Sequence, residues 1–486
     1  MKWKNILVTF SISAAILTIP SCAVNPVTGK RQLMFMSEAQ EVKIGSDYDP
    51  QVIATFGEYK NDALLSFIQN KGKEMGLISH RPKLEYHFRI LDSPVINAFA
   101  VPGGYIYLTR GILAQFNNEA EMLGVLGHEM GHITARHSAA RQSEQQLGQL
   151  LLIGGMVASE KFRKYGEYAM QGMQLLFLSF SRDDEKESDR LGVEYISKIR
   201  YDARKMADFY KVLIKLSAEN DNTGVPSFLS THPDPGDRYN TVNQDAAKWQ
   251  EKLNYPSWEV NAESYLSMID GMVYGEDPRQ GFVDNNTFYH PELKFKFPFP
   301  SGWQLQNSPI QVTMGPSDGK AIMIFTLAQQ KSLDEAAQTT LQQLELNILD
   351  SKKVTVNGMP AIATLSNQSS QDQSGQQQSI KVISYFIDDK GTIYIFHGVS
   401  NEAEFNNYSS LFESTMTKFD KLSDPSKLNV QAKRIRVKKI QRNGTLADAF
   451  RDLGIPQQKL DEMAFLNNME LTDQVTAGKL IKTVGN

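Results

Sequence analysis

The sequence predicts an α+β multidomain chain: a mainly helical first domain holding one small β-sheet, an α+β domain, and a small βααβ module. Three observations carry this expectation. At 486 residues the chain exceeds what one ordinary hydrophobic core covers, and its length suggests about three domains. From Ser37 to about Met272 the apolar spacing is helical, interrupted by a single β-like block between Tyr86 and Leu108. After Gly281 the pattern changes to alternation, with Leu293, Phe295, Phe297 and Phe299 separated by Lys294, Lys296 and Pro298.

Composition narrows the chemistry before any motif is read. Cys22 is the only cysteine, which excludes an intrachain disulfide, a thiolate metal cluster and a CxxC redox site. Metal binding or catalysis must then use histidine, carboxylates or hydroxyls. A formal charge of −4 argues against a nucleic-acid binder, which would normally show a strongly basic domain, and any basic patch has to be local.

Residues 1–21 read as a signal peptide, because Lys2 and Lys4 precede an apolar run from Ile6 to Ile19 that is too short to span a bilayer. The sequence Ile19-Pro20-Ser21-Cys22 resembles a bacterial lipobox, which implies a lipid on the Cys22 thiol and a membrane partner. An ordinary signal peptide followed by an incidental thiol is the alternative. Residues 22–36, including Asn25-Pro26-Val27-Thr28-Gly29-Lys30, read as the tether.

The first domain is expected over 37–275. Its β block comprises alternating Tyr86, Phe88 and Ile90, a turn at Asp92-Ser93-Pro94, and the stretch Ala98 to Leu108. Helix resumes behind an Asn117-Asn118 cap with Glu121 close behind. The second domain, 281–425, shows a strand ending at Pro300-Ser301-Gly302-Trp303 and a hairpin from Val382 to His397. Between them Ser366 to Ser379 is rich in Gln and Ser and reads as a mobile loop. No catalytic set is visible there. Its outline resembles domains related to the photosystem II extrinsic protein, a resemblance that carries no activity. Residues 433–486 open with Lys433, Arg434, Arg436, Lys438, Lys439 and Arg442 and continue through Gly444-Thr445-Leu446, Leu466-Asn467-Asn468 and Gly478-Lys479-Leu480. That order resembles a LysM module, which implies peptidoglycan as a partner; a small structural cap is the equal alternative.

The chemistry is concentrated in His128-Glu129-Met130-Gly131-His132. On a helix the two histidines lie about 40° apart and can share one ion, while Glu129, about 100° from His128, is offset toward a metal-bound water. Ala120, Leu123, Val125, Leu126, Met130 and Ile133 supply the helical apolar positions. A zinc hydrolase needs a third protein ligand. A histidine ten residues after His128 would supply it in one known arrangement, but Ser138 stands there; His137 points about 140° from His132 and reads as a surface residue. The third ligand is expected from the run Ser181 to Gly192. There Gly192, Tyr195, Ile196 and Ile199 mark a buried face that Glu185, Ser188 and Asp189 extend, whereas Glu187 points to the other side. Glu185 is therefore the expected ligand, and Asp189, one turn on, the expected acceptor that orients a ligating histidine.

These residues, with Asn97-Ala98-Phe99-Ala100-Val101-Pro102-Gly103-Gly104 upstream, resemble the M48 zinc metallopeptidases, over roughly Cys22 to Gly275. The departure is Ser188, where alanine is usual. The resemblance implies a zincin-type protease domain with one zinc ion held by His128, His132 and Glu185, and Glu129 as general base. It further implies Asn97, Ala98, Phe99 and Ala100 as an edge strand to which an extended substrate adds, and His232 and Arg238 as a His-Pro…Arg element near the metal. His232 could donate to the oxyanion, occlude the metal, or be a loop histidine beside the Pro233-Asp234-Pro235-Gly236 turn. Leu147 to Phe180 reads as a lid over the cleft or as core.

The expected function is thus a zinc endopeptidase degrading unfolded or misassembled envelope proteins. The competing expectations are a chaperone or assembly factor with a normally shut protease site, and a peptidoglycan-tethered scaffold. Ala23, where an aspartate would favour inner-membrane retention, points to the outer membrane facing the periplasm.

Overall fold

A computed structural model describes residues 22–34, 36–143, 180–219, 228, 232, 237–371 and 377–486. The expected signal peptide and nearly all of the expected lid lie outside the described residues. So do Pro233 to Gly236. No described helix is long and apolar enough to cross a membrane.

Behind a short antiparallel ladder of Cys22–Val24 with Arg31–Leu33 come α1 (Glu38–Phe56) and α2 (Asp62–Leu77). The β block forms β1 (His87–Leu91), β2 (Ala98–Val101) and β3 (Tyr105–Thr109) in the order β1-β3-β2. β1 runs parallel to β3 and β2 antiparallel to it, so β2 is left at the edge. Pro102-Gly103-Gly104 makes the turn; both glycines have positive φ, and a Cβ on Gly104 would meet Glu85 O at 2.2 Å. Next come α3 (Arg110–Gln115), α4 (Glu119–Ala135), α5 (Arg182–Lys198), α6 (Arg204–Glu219), α7 (Arg238–Leu253) and α8 (Ala262–Ile269). The caps are legible in the sequence: Asn118 Oδ1 accepts from Glu121 N at 2.9 Å, and Ser181 forms a capping box with Asp184.

Every residue of α4 is buried, which requires neighbours on all sides. On one side α5 approaches backbone to backbone. A Cβ on Gly131 would lie 2.9 Å from Ser188 Cα, and one on Gly192 2.9 Å from His128 N. Small residues at 127, 131, 188 and 192 therefore set the distance between the two helices that carry the chemistry.

The second domain holds a seven-stranded antiparallel sheet made of β4 (Gln304–Asn307), β5 (Gln311–Gly315), β6 (Ala321–Leu327), β7 (Asn347–Val356), β8 (Met359–Gln371), β9 (Gln377–Asp389) and β10 (Thr392–Asn401), in the order β7-β8-β9-β10-β6-β5-β4. Helix α9 (Leu333–Gln343) covers one face with Ala336, Ala337 and Leu341; a phenylalanine-rich cluster including Phe297, Phe325, Phe396 and Phe419 fills the other. The expected loop at Ser366 to Ser379 is corrected at both ends, and its middle, 372–376, lies outside the described residues. β8 runs on to Gln371 and β9 starts at Gln377, with Ser369 opposite Ser379. Ladder hydrogen bonds come from the backbone, so polar side chains do not prevent pairing.

α10 (Phe405–Met416) leads to the C-terminal segment, which has β11 (Arg434–Lys439), α11 (Leu446–Asp452), α12 (Leu460–Leu466) and β12 (Leu480–Gly485), with β11 antiparallel to β12. This segment is built into the first domain. Ile435 and Leu466 belong to the same core as α4, and Ile435 exchanges backbone hydrogen bonds with Gly271 and Met272 at 2.8 Å each. Lys482 is fully buried and its ammonium donates to the carbonyls of Ala114, Gln115 and Phe116 at 2.7, 3.1 and 2.9 Å. Those are the open carbonyls at the C-terminal end of α3, immediately before the α4 cap. Burial pulls Lys482 below its ordinary range, and the Glu121 carboxylate opposes that pull. Lys482→Met is expected to lower stability by about 2–4 kcal/mol, because three carbonyls lose their donor and Glu121 its counter-charge. Urea unfolding of the full chain checks this.

Candidate metal centre

The spacing of His128 and His132 on α4 places their Nε2 atoms 3.1 Å apart. Glu185, on the first turn of α5, lies 3.5 Å from each, Oε2 to His128 Nε2 and Oε1 to His132 Nε2. A tetrahedral ion with bonds of about 2.0–2.1 Å has ligand–ligand edges of about 3.3 Å, so these three donors fit one metal ion. His232 joins them: its Nδ1 is 2.9 Å from Glu185 Oε1 and 3.2 Å from His128 Nε2. Ligand atoms of all four buried residues lie within 4.8 Å of one another.

Glu129 is fully buried and, among the described residues, neither of its oxygens has a hydrogen-bond partner; His232 Nε2, also without one among them, stands 3.5 Å from Oε1. Burial raises the Glu129 pKa, against the lowering charges of His232 and His128. Burial also pushes Glu185 up, but His232, Arg238 and His128 outweigh it and hold its carboxyl below the ordinary range. His132 is driven well below the ordinary histidine value, first by burial and then by neighbouring positive charge. The result is a carboxylate and a neutral imidazole, the protonation states a divalent metal requires.

Behind the donors lie the groups that orient them. Asp189 Oδ1 is 2.8 Å from His128 Nδ1, and the same carboxylate takes the Tyr210 hydroxyl and a two-pronged contact from Arg238 at 2.7 Å. The Arg238 Nη1 is also 2.7 Å from Glu185 Oε2. Burial would raise Asp189, but Arg238 and His128 hold it far below the ordinary range. Arg238 thus contacts carboxylates and the Tyr210 hydroxyl, which suits it to positioning Asp189 and Glu185.

The expectation for His137 is corrected. It is 5% exposed, with its Nδ1 3.0 Å from His132 Nδ1 and its Nε2 3.3 Å from Glu187 Oε2. Helix α4 stops at Ala135, and Arg136 adopts φ 62° as the left-handed cap, so His137 leaves the helical path and turns back under His132. Glu187 does face away from the metal donors, yet it belongs to the centre through His137. For His132 to offer Nε2 to a metal, its Nδ1–H must donate to His137 Nδ1, which leaves His137 Nε2–H to donate to Glu187. Sequence reasoning also missed two aromatic neighbours. Phe180 stacks on His132 with centroids 4.0 Å apart, and Phe228 on His232 at 4.2 Å.

Asn97, Ala98, Phe99 and Ala100 lie at and in β2, whose outer edge no described strand occupies. Asn97, Ala98 and Phe99 are buried, so this edge offers mainly its backbone. The Phe228 amide donates to Ile96 O at 3.0 Å, which docks that residue beside the strand.

Comparison with known proteins agrees with this geometry. The chain is 27% identical over 350 residues to the beta-barrel assembly-enhancing protease of Yersinia pestis, covering 68% of this chain and 66% of that protein. To the protein of the same name in Escherichia coli K12 it is 28% identical over 225 residues, 43% of this chain and 45% of the relative. To the mitochondrial metalloendopeptidase OMA1 of Bos taurus it is 26% identical over 278 residues, 52% of this chain and 53% of the relative. The chain therefore spans less than two thirds of these relatives. Among solved structures, cyanobacterial PsbP from Synechocystis sp. PCC 6803 aligns with 28% of this chain and 91% of its own at 9% identity, with a TM-score of 0.22 that carries no argument. The model of peptidase family M48 matches residues 66–246, the span that holds α4, α5 and all four metal-cluster residues. Over residues 66–246 the chain is thus similar to peptidase family M48.

Proposed function

We propose that the chain is a zinc-dependent endopeptidase that cleaves extended or misfolded envelope proteins, seen here with its site closed by His232. One observation carries the reading: a buried donor set of His128, His132 and Glu185 with the unpartnered carboxylate of Glu129 beside it. A set rich in imidazole suits zinc, which when bound supplies a Lewis acid for the scissile carbonyl and acidifies a coordinated water. Glu129 Oε1 or Oε2 takes the proton of the attacking water and returns it to the leaving amine. Asp189, held by Arg238 and Tyr210, keeps His128 in the tautomer that presents Nε2. An extended substrate adds to the β2 edge through its backbone, which makes cleavage tolerant of sequence. Similarity to beta-barrel assembly-enhancing proteases supports envelope protein substrates. Lipid attachment at Cys22, an outer-membrane position facing the periplasm, and peptidoglycan binding by a LysM-like 433–486 remain parts of this proposal.

His232 decides between two states. Its Nδ1 sits among the metal donors, where it would fill the fourth position that a catalytic site leaves open for water. That placement favours a protease held shut until substrate or a partner withdraws the histidine, which also accommodates the assembly-factor reading. Zinc content and casein cleavage of His232→Ala test it. A plug predicts undiminished zinc and activity raised above wild type; an oxyanion donor predicts a loss of about 10²–10³-fold.

A further inference from the structure

The stretch expected to be a tether is folded against the end of the helix that carries the metal histidines. Asn25 is 5% exposed and closes a turn, its Oδ1 accepting from the amides of Val27 and Thr28 at 2.8 and 3.0 Å. The Gly29 amide donates to Asn25 O at 2.9 Å, and Gly29 takes the φ of 67° that lets the chain return. With its oxygen used on the turn, the Asn25 side chain presents its nitrogen to α4: Nδ2 donates to Ala135 O at 3.2 Å.

Ala135 is the last residue of α4, where carbonyls lie beyond the intrahelical ladder and take donors from outside it. A second carbonyl of that turn, Ile133 O, accepts from Arg81 Nη1 at 3.1 Å. The same Nη1 is 2.9 Å from Glu41 Oε2, and Glu41 Oε1 accepts from the Arg136 guanidinium. Arg136 Nη2 donates also to Met36 O at 2.8 Å. Glu41 is thus a buried carboxylate shared by two buried arginines.

The sharing bears on Arg136, because a left-handed backbone is uncommon outside glycine and persists where its surroundings fix it. The turn it makes brings His137 Nδ1 to 3.0 Å from His132 Nδ1. Beyond His137 the chain is pinned again, since Ala139 packs in one cluster with Met34 and Met36. His137 therefore stands between two fixed points, and residues 25–41 contribute to both.

We propose that Asn25 and Glu41 are positioning residues for the metal centre, acting on His132 through the α4 cap and His137. The proposal rests on the zinc reading of that centre. It makes the segment beside Cys22 part of the framework of the site.

The rate at which the zinc-loaded full chain gives up its metal to a chelator tests it. Asn25→Asp keeps an oxygen to close the turn and removes the donor to Ala135. It should speed release by about tenfold, the lower end of what groups behind the ligands contribute. Glu41→Gln leaves Arg81 and Arg136 sharing a neutral amide and should speed release by up to about 100-fold. The deciding arm is the His137→Ala background. There Asn25→Asp should add less than about twofold, because the path from Asn25 to His132 is already cut. A residue that only stabilises the fold would act equally in both backgrounds. Two results would overturn the proposal and leave the zinc reading standing: release from Asn25→Asp at the wild-type rate, or an Asn25→Asp effect undiminished without His137. A wild-type chain that takes up no zinc would overturn both.

Discussion

Glu129→Gln should retain the zinc content of the unsubstituted chain and lose casein cleavage by about 10²–10⁴-fold, the contribution of a positioned general base. The substitution keeps the shape of the side chain, and the donors His128, His132 and Glu185 are untouched. It also breaks no hydrogen bond among the described residues, because neither Glu129 oxygen has one there. The oxygen of the new amide can take the place of the present Oε1, which stands 3.5 Å from His232 Nε2. Folding and metal binding should therefore survive. What disappears is a basic oxygen in a fully buried position, where burial has raised its pKa and so its strength as a base. Paired measurements of zinc stoichiometry and cleavage rate check the argument. Wild-type activity in the variant would remove Glu129 from the reaction; loss of zinc together with activity would give it a structural role instead.

Much of this centre could be read from the chain because helices convert spacing into direction. His128 and His132 fall on one face at a separation of four, and Glu185 was separated from its acidic neighbours by the apolar face that Gly192, Tyr195 and Ile196 define. The alternating phenylalanines at 295, 297 and 299 likewise foretold a strand, Phe295–Pro298. The same arithmetic failed at His137, since a single left-handed residue, Arg136, ends the periodicity on which it depends. Tyr210, Phe180 and Phe228 carry no local signal at all; their roles exist only once separate elements pack. Lys482 was hidden for a different reason. In a tail rich in basic residues one lysine looks like another, and only the docked C-terminal strand shows that this one is buried against the end of α3. The tail is accordingly not a detachable module, and its removal takes Ile435, Leu466 and Lys482 out of the first domain.

Glu185→Ala and Glu187→Ala should part company by degree. Alanine at 185 removes a direct donor, leaving two histidines of α4 and a His232 that no longer has the carboxylate 2.9 Å from its Nδ1. It also strips Arg238 of one of its two carboxylate partners in a buried site, where an uncompensated charge is costly. Zinc should fall well below one ion per chain after dialysis, and proteolysis should fall with it. Glu187 touches no metal donor, yet its loss takes from His137 Nε2 its 3.3 Å partner and leaves it Asp184 Oδ1 at 3.6 Å, which loosens the relay that fixes the Nδ1–H tautomer of His132. Outer groups of this kind typically change metal affinity or activity by about 10–100-fold, so Glu187→Ala should load fully in excess zinc but release it sooner to a chelator. His137→Ala should behave as Glu187→Ala does, and the double variant should be no worse than either, because both act through one chain of hydrogen bonds. Chelator competition over a zinc series measures all four. Equal losses at 185 and 187 would refute the assignment of the third donor, and a Glu187→Ala variant indistinguishable from wild type would show that the His132 tautomer is held without His137.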